Sequence, residues 1–183
     1  MSEPPTASEQ RRARLALGLL LLGLYSTLGV VRTLSNALRD ANLLRVSVAL
    51  VFAAVAGLVV VALVRSPALR RPRVLPSSLA VAALYGLVVW PMSSPEEKLH
   101  FVEYGAVAVL AFFSTPPRWR EWQRLGGAAL FTGAAGWVDE GLQALLPSRY
   151  YDLRDVGFNA LAGVMALGAL AVVRALSRPR ASG

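Results

Sequence analysis

The chain has 183 residues, 55% of them apolar and 16% charged, with a mean hydropathy of +0.51. Soluble domains carry roughly 45–50% apolar and about 25% charged residues, so this composition excludes a disordered chain and argues against an ordinary soluble enzyme. There are 18 Arg, one Lys, one His, 11 acids and no Cys, for a net charge of +8. Without Cys there is no disulfide scaffold, thiolate nucleophile or thiolate metal site, and a lone His cannot build a multi-histidine centre. No metal and no cofactor are expected.

In chain order, residues 1–14 (MSEPPTASEQRRAR) read as a disordered, basic tail. Six apolar stretches follow: Leu15–Val31, Val46–Val64, Leu79–Met92, Leu99–Phe113, Leu125–Leu146 and Val156–Val173. A helix that crosses the hydrocarbon core needs about 20 residues, within a range of ~17–25. The first, second and sixth stretches qualify directly. The third and fourth need flanking residues, and the fifth carries Asp139 and Glu140 toward its C-terminal end. None alternates with the period of two that marks an outer-membrane strand. In lipid such runs are helical, because a helix satisfies its own backbone hydrogen bonds. Soluble helices need a polar face, which the first two stretches lack.

The expected fold is an all-α, polytopic membrane bundle of about six transmembrane helices. It divides into the tail 1–14, two N-terminal transmembrane helices with their loops over 15–78, a four-helix region over 79–173, and a basic tail over 174–183. Arg11, Arg12 and Arg14 before an apolar run, with Ser35-Asn36-Ala37 after it, imitate a signal peptide. The length of the run and the intervening Arg32 favour a retained first helix.

With six spans and both termini in the cytoplasm, 13 basic residues fall inside and 6 outside. That is the asymmetry the positive-inside rule expects. Removing the third span would leave 10 against 9 and erase it. The charge is thus accounted for by topology and by anionic inner-leaflet lipid, and no nucleic-acid partner is expected.

This topology gathers the polar outliers at the outer face. Glu96, Glu97, Lys98, His100 and Glu103 open the fourth helix. Asp139, Glu140 and Gln143 end the fifth, Arg149, Asp152, Arg154 and Asp155 lie in the next loop, and Asn159 lies in the first turns of the sixth. His100 and Glu103 are three apart, and Asp139–Gln143 and Asp155–Asn159 are four apart, so each helix offers a polar stripe on one face. Ionisable groups inside a span are costly and face a partner or a wet cavity. Glu96, Glu97 and Asp152 are read as solvated rim residues. Lys98, His100, Glu103, Asp139, Glu140, Gln143, Arg149, Asp155 and Asn159 form the candidate ligand site. Gly126, Gly127, Gly133, Gly136, Gly157, Gly163 and Gly168 are read as close helix packing. Trp90, Tyr104, Trp119, Trp122, Tyr150 and Tyr151 are read as interfacial belts.

The strings PEEKLHFVEYG (Pro95–Gly105) and DEGLQALLPSRYYDLRDVGFNALAG (Asp139–Gly163) resemble the VanZ-like family of bacterial membrane proteins. The matching positions are Glu97, Lys98 and His100; Glu140 and Gln143; Pro147 and Arg149; Asp155 and Asn159; and Gly163. Only Leu99 separates Lys98 from His100, where the commoner form has two residues, and the Asn-to-Gly spacing is one residue long. The resemblance covers roughly residues 79–173. It implies a multi-pass protein of the bacterial cytoplasmic membrane, linked to the envelope and to low-level teicoplanin resistance, with a shared outer-face site. It implies no reaction.

Three functions fit these residues. The first is binding of a cell-wall precursor, lipid headgroup or glycopeptide, with membrane lipid as the constant partner. The second is an intramembrane enzyme acting on a phosphate-bearing lipid or glycan. In it His100 is base or nucleophile, Glu103 or Glu140 orients it, Arg149 holds phosphate, and Asp139 with Asp155 holds a divalent cation. The third is a small transporter. The sequence leaves the oligomeric state open.

Overall fold

The computed structural model describes residues 6–65, 72–146 and 151–177, and among these every regular element is helical. The helices are α1 (Ala7–Asp40), α2 (Leu44–Arg65), α3 (Val74–Val89), α4 (Pro95–Ser114), α5 (Glu121–Gln143) and α6 (Leu153–Ser177). Each apolar stretch of the sequence begins within one of them, though the third and fifth run three residues past the ends of α3 and α5. Three are long and apolar enough to cross a membrane: α1, α2 through Ala62, and α6. α3 has 16 residues, about 24 Å at 1.5 Å per residue, short of a hydrocarbon core of about 30 Å.

The tail expected to be disordered to residue 14 is instead helical from Ala7. The cause is local. The Thr6 hydroxyl accepts the Glu9 N–H at 3.2 Å, and the Glu9 carboxylate accepts the Thr6 N–H at 2.8 Å. This capping box satisfies two amides that a helix start otherwise leaves to solvent. The helix then continues past Arg32 into what the sequence suggests is a loop. It stops where Asn42 takes φ 58°, a left-handed turn that asparagine tolerates. Its 34 residues rise about 51 Å, well beyond a single hydrocarbon thickness.

α4 sits at the centre, packed against α6, α1, α5 and α2. It buries Phe101, Tyr104, Val107, Ala108, Ala111 and Phe112. Contacts at the two ends set the helix directions. At one end Arg14 Nε donates to the Ser114 carbonyl at 3.2 Å, and Arg174 Nε pairs with Glu121 at 3.3 Å. At the other, Arg39 pairs with Glu96, and the Asp152 N–H donates to Glu140 at 3.3 Å. α1 and α5 therefore run one way and α4 and α6 the other.

Polar side chains share the apolar interior, and large apolar side chains cover much of the surface. Arg124, Thr132, Asp139, Glu140, Gln143 and Asn159 are buried, while Leu58, Leu87 and Leu130 are 70%, 75% and 78% exposed. Apolar surface on this scale belongs against lipid rather than water. The glycines divide. A Cβ on Gly136 would lie 2.5 Å from Asn159 Cβ, and one on Gly163 would lie 2.7 Å from Thr132 Cγ2, so both mark close α5–α6 approach. Gly127 meets the Trp119 ring, whereas Gly126, Gly133, Gly157 and Gly168 face open space. Trp90 and Trp122 are exposed, as a belt requires. Tyr104 is not a belt residue: it is fully buried, because α4 is enclosed on several sides.

Candidate functional site

α4 begins with Pro95 in its first turn and Glu96 and Glu97 beside it. The proline needs no amide partner there, and the carboxylates complement the positive end of the helix dipole. The helical period then puts Glu96, His100 and Glu103 on one face. α5 contributes Asp139 and Gln143 near its C-terminal end, and α6 contributes Asp155 in its first turn. These faces meet α1 around a cleft of about 450 Å³. Its volume is that of a small-ligand pocket, for which about 300–1,000 Å³ is usual.

The cleft has two halves. The polar half is lined by Arg32, Ser35 and Arg39 of α1, Ser94, Glu96, Glu97, His100 and Glu103 before and within α4, and Asp139, Gln143 and Asp155. The apolar half is lined by Leu19, Leu20, Leu24, Leu28 and Val31 of α1, with Gly23 and Thr27. In the polar half His100 Nε2 lies 3.9 Å from Asp155 Oδ2. Gln143 Nε2 donates to Asp139 Oδ2 at 3.1 Å. Glu96 is held twice, by the Arg39 guanidinium and by the Ser94 hydroxyl, which donates at 2.9 Å.

Of the nine residues singled out from sequence, His100, Glu103, Asp139, Gln143 and Asp155 line this cleft. Glu140 and Asn159 do not. Both are fully buried, Glu140 accepting the Asp152 N–H and Asn159 packing against Gly136. Neither amide atom of Asn159 has a hydrogen-bond partner among the described residues. Lys98 is half-buried and is not part of the lining. Arg149 and Tyr150 lie outside the described residues. Glu96 and Glu97, expected as rim residues, are instead part of the cleft wall, because α1 extends far enough to face them.

The arginine wall of α1 is what sequence reading missed. Residues 32–45 separate the first two apolar stretches and so read as a link, yet Arg32, Ser35 and Arg39 continue the stripe of Leu20, Leu24 and Leu28 at helical spacing. That periodicity was the available signal. Tyr25, two turns below Arg32, fixes the stripe's position by donating its hydroxyl proton to the Ala135 carbonyl at 2.8 Å.

Chemically the cleft is a two-signed binding surface. No three His, Asp or Glu side chains among the described residues converge to hold a metal ion. Asp139 and Asp155 thus form no three-ligand cation site with a neighbour there. The Ser94 hydroxyl engages Glu96 rather than His100, so the histidine does not activate it as a nucleophile. No protein-family model, no curated protein and no solved structure matches this chain. The VanZ-like resemblance therefore rests on the motif residues alone.

Proposed function

We propose that this chain is a VanZ-like protein of the bacterial cytoplasmic membrane whose cleft binds the polar group of an envelope component. That component is a lipid headgroup, a lipid-linked cell-wall precursor or a glycopeptide. The observation that carries this reading is the convergence of His100, Glu103, Asp139, Gln143 and Asp155, from three helices, on one cleft with a polar mouth and an apolar floor. Six spans with both termini inside are supported by the arginine asymmetry. The opposed directions of α1 and α5 against α4 and α6 are those that six successive crossings produce. With that asymmetry setting the sidedness, the polar half of the cleft is read as facing outward.

The test is binding of a polyprenyl-linked cell-wall precursor to the purified full chain, with and without Glu103→Gln, Asp139→Asn and Arg149→Ala. Weakened binding in the variants supports the reading, and equal binding in all four proteins overturns it. One observation favours an enzymatic alternative, the His100–Asp155 pair, since a carboxylate beside an imidazole can orient a general base. Turnover of a phosphate-bearing lipid that disappears in His100→Ala would establish it. A transporter is less well supported, because the polar lining stays at one end of the bundle.

A further inference from the structure

We infer that the occupant of the cleft is a zwitterionic phospholipid of the phosphoethanolamine class, its phosphate on Arg32, its ammonium on the carboxylate wall opposite, and one acyl chain along the leucines of α1. This rests on the reading of the cleft as a binding site and adds the ligand's chemistry.

Charge decides the headgroup. Within the cleft Arg39 is already paired with Glu96, and His100 faces Asp155. Arg32 stands on α1, with Glu97, Glu103 and Asp139 also in the lining. Arg32 Nε is buried and meets no hydrogen-bond partner among the described residues. A buried guanidinium donor left unanswered is costly, and its planar fork matches phosphate. A purely anionic headgroup would satisfy Arg32 but face several carboxylates. A purely cationic one would leave Arg32 unanswered. A headgroup carrying phosphate and ammonium a few bonds apart satisfies both walls.

Shape decides the rest. From Leu20 to Val31 the cleft follows α1 for about 17 Å, roughly the depth of one leaflet of a core about 30 Å thick. The polar side chain in that half, Thr27, gives its hydroxyl proton to the Gly23 carbonyl at 2.6 Å. It thus presents no unmet donor to a hydrocarbon chain. A peptide ligand would leave this half unused, and so would free phosphoethanolamine.

Native mass spectrometry of the full chain in detergent tests the inference, by titration with dioleoyl phosphatidylethanolamine, dioleoyl phosphatidylglycerol and chainless glycerophosphoethanolamine. Phosphatidylethanolamine is expected to bind about tenfold more tightly than phosphatidylglycerol, the scale of one charge-assisted contact, and the chainless compound not detectably. Arg32→Gln should weaken phosphatidylethanolamine binding by about tenfold, with Arg32→Lys intermediate, since lysine keeps the charge but not the fork. Glu103→Gln with Asp139→Asn should abolish the preference over phosphatidylglycerol. Equal or tighter phosphatidylglycerol binding, or chainless binding as tight as the lipid, overturns the inference. This comparison on the native sequence decides the matter even if a variant fails to fold. Leu24→Trp, which fills the apolar half, separates the two levels. If it alters binding of no probe, including the polyprenyl-linked precursor, the cleft is not the site and both readings fall. If it blocks the precursor while the headgroup preference is absent, only the phospholipid assignment falls.

Discussion

His100 Nε2 and Asp155 Oδ2 stand 3.9 Å apart, and this pair joins the second turn of α4 to the first turn of α6 across the mouth of the cleft. The helices run parallel there, so their N-terminal ends lie side by side. The side chains are 14% and 19% exposed, and the distance is long for a hydrogen bond. Its coupling should therefore be small. A double-mutant cycle with His100→Ala and Asp155→Asn, read by thermal unfolding in detergent, is expected to give about 1 kcal/mol or less. A coupling several times larger would mean that the pair organises the mouth of the cleft.

The α5–α6 seam should be much less tolerant. Gly136→Ala places a methyl 2.5 Å from Asn159 Cβ, and Gly163→Ala places one 2.7 Å from Thr132 Cγ2. Each is expected to cost about 1–3 kcal/mol by overpacking. Gly126→Ala and Gly168→Ala meet open space and should be neutral or stabilising by up to about 1 kcal/mol. The decisive measurement is a rescue. Thr132→Ser removes the clashing methyl but leaves Cβ at 3.2 Å, so Gly163→Ala should recover in part in that background while Gly136→Ala should not.

At the opposite end, Arg124 is 5% exposed. It donates to the Thr115 hydroxyl at 2.9 Å and to the Phe112 carbonyl at 3.2 Å, and its guanidinium lies 4.3 Å from the Phe112 ring centroid. It thereby braces the C-terminal end of α4, where the Phe112 carbonyl also accepts from the Thr115 N–H and hydroxyl. Arg124→Met should lower stability by about 2–3 kcal/mol, through two charge-assisted hydrogen bonds and a cation–π contact. Arg124→Lys should recover only part of that. Arg174 lies over the same ring at 5.2 Å and is more exposed, so Arg174→Met should cost less.

The start of α1 offers a local test. Thr6→Ala removes both the hydroxyl that caps Glu9 and the reciprocal geometry of the box. The expected cost is about 1 kcal/mol, confined to the first turn. Hydrogen exchange should quicken at residues 7–10 and stay unchanged beyond the second turn. Ligand binding in the cleft, which lies toward the far end of α1, should be unaffected.

Orientation can be measured without background, because the chain has no cysteine. Ser8 and Ser93 are both exposed, at opposite ends of the bundle. In spheroplasts a membrane-impermeant maleimide should label Ser93→Cys readily, and Ser8→Cys only after lysis. The reverse pattern would put the cleft on the cytoplasmic side.

The helices, and much of the cleft's polar lining, were legible in the sequence because both are local properties. Continuous apolar runs force helices in lipid. Three- and four-residue spacings put His100 with Glu103, and Asp139 with Gln143, on single faces wherever those helices pack. Tertiary structure decided which faces meet. Nothing local shows that α4 is enclosed, so Tyr104 looked interfacial and proved fully buried. Nor does a local signal connect Arg39 to Glu96, 57 residues apart, or bring the arginine wall of α1 to the cleft. Helix formation is specified within a few residues by backbone hydrogen bonding. The pairing of helices depends on the fit of whole surfaces, as at Gly136 against Asn159, and only the folded bundle brings those surfaces together.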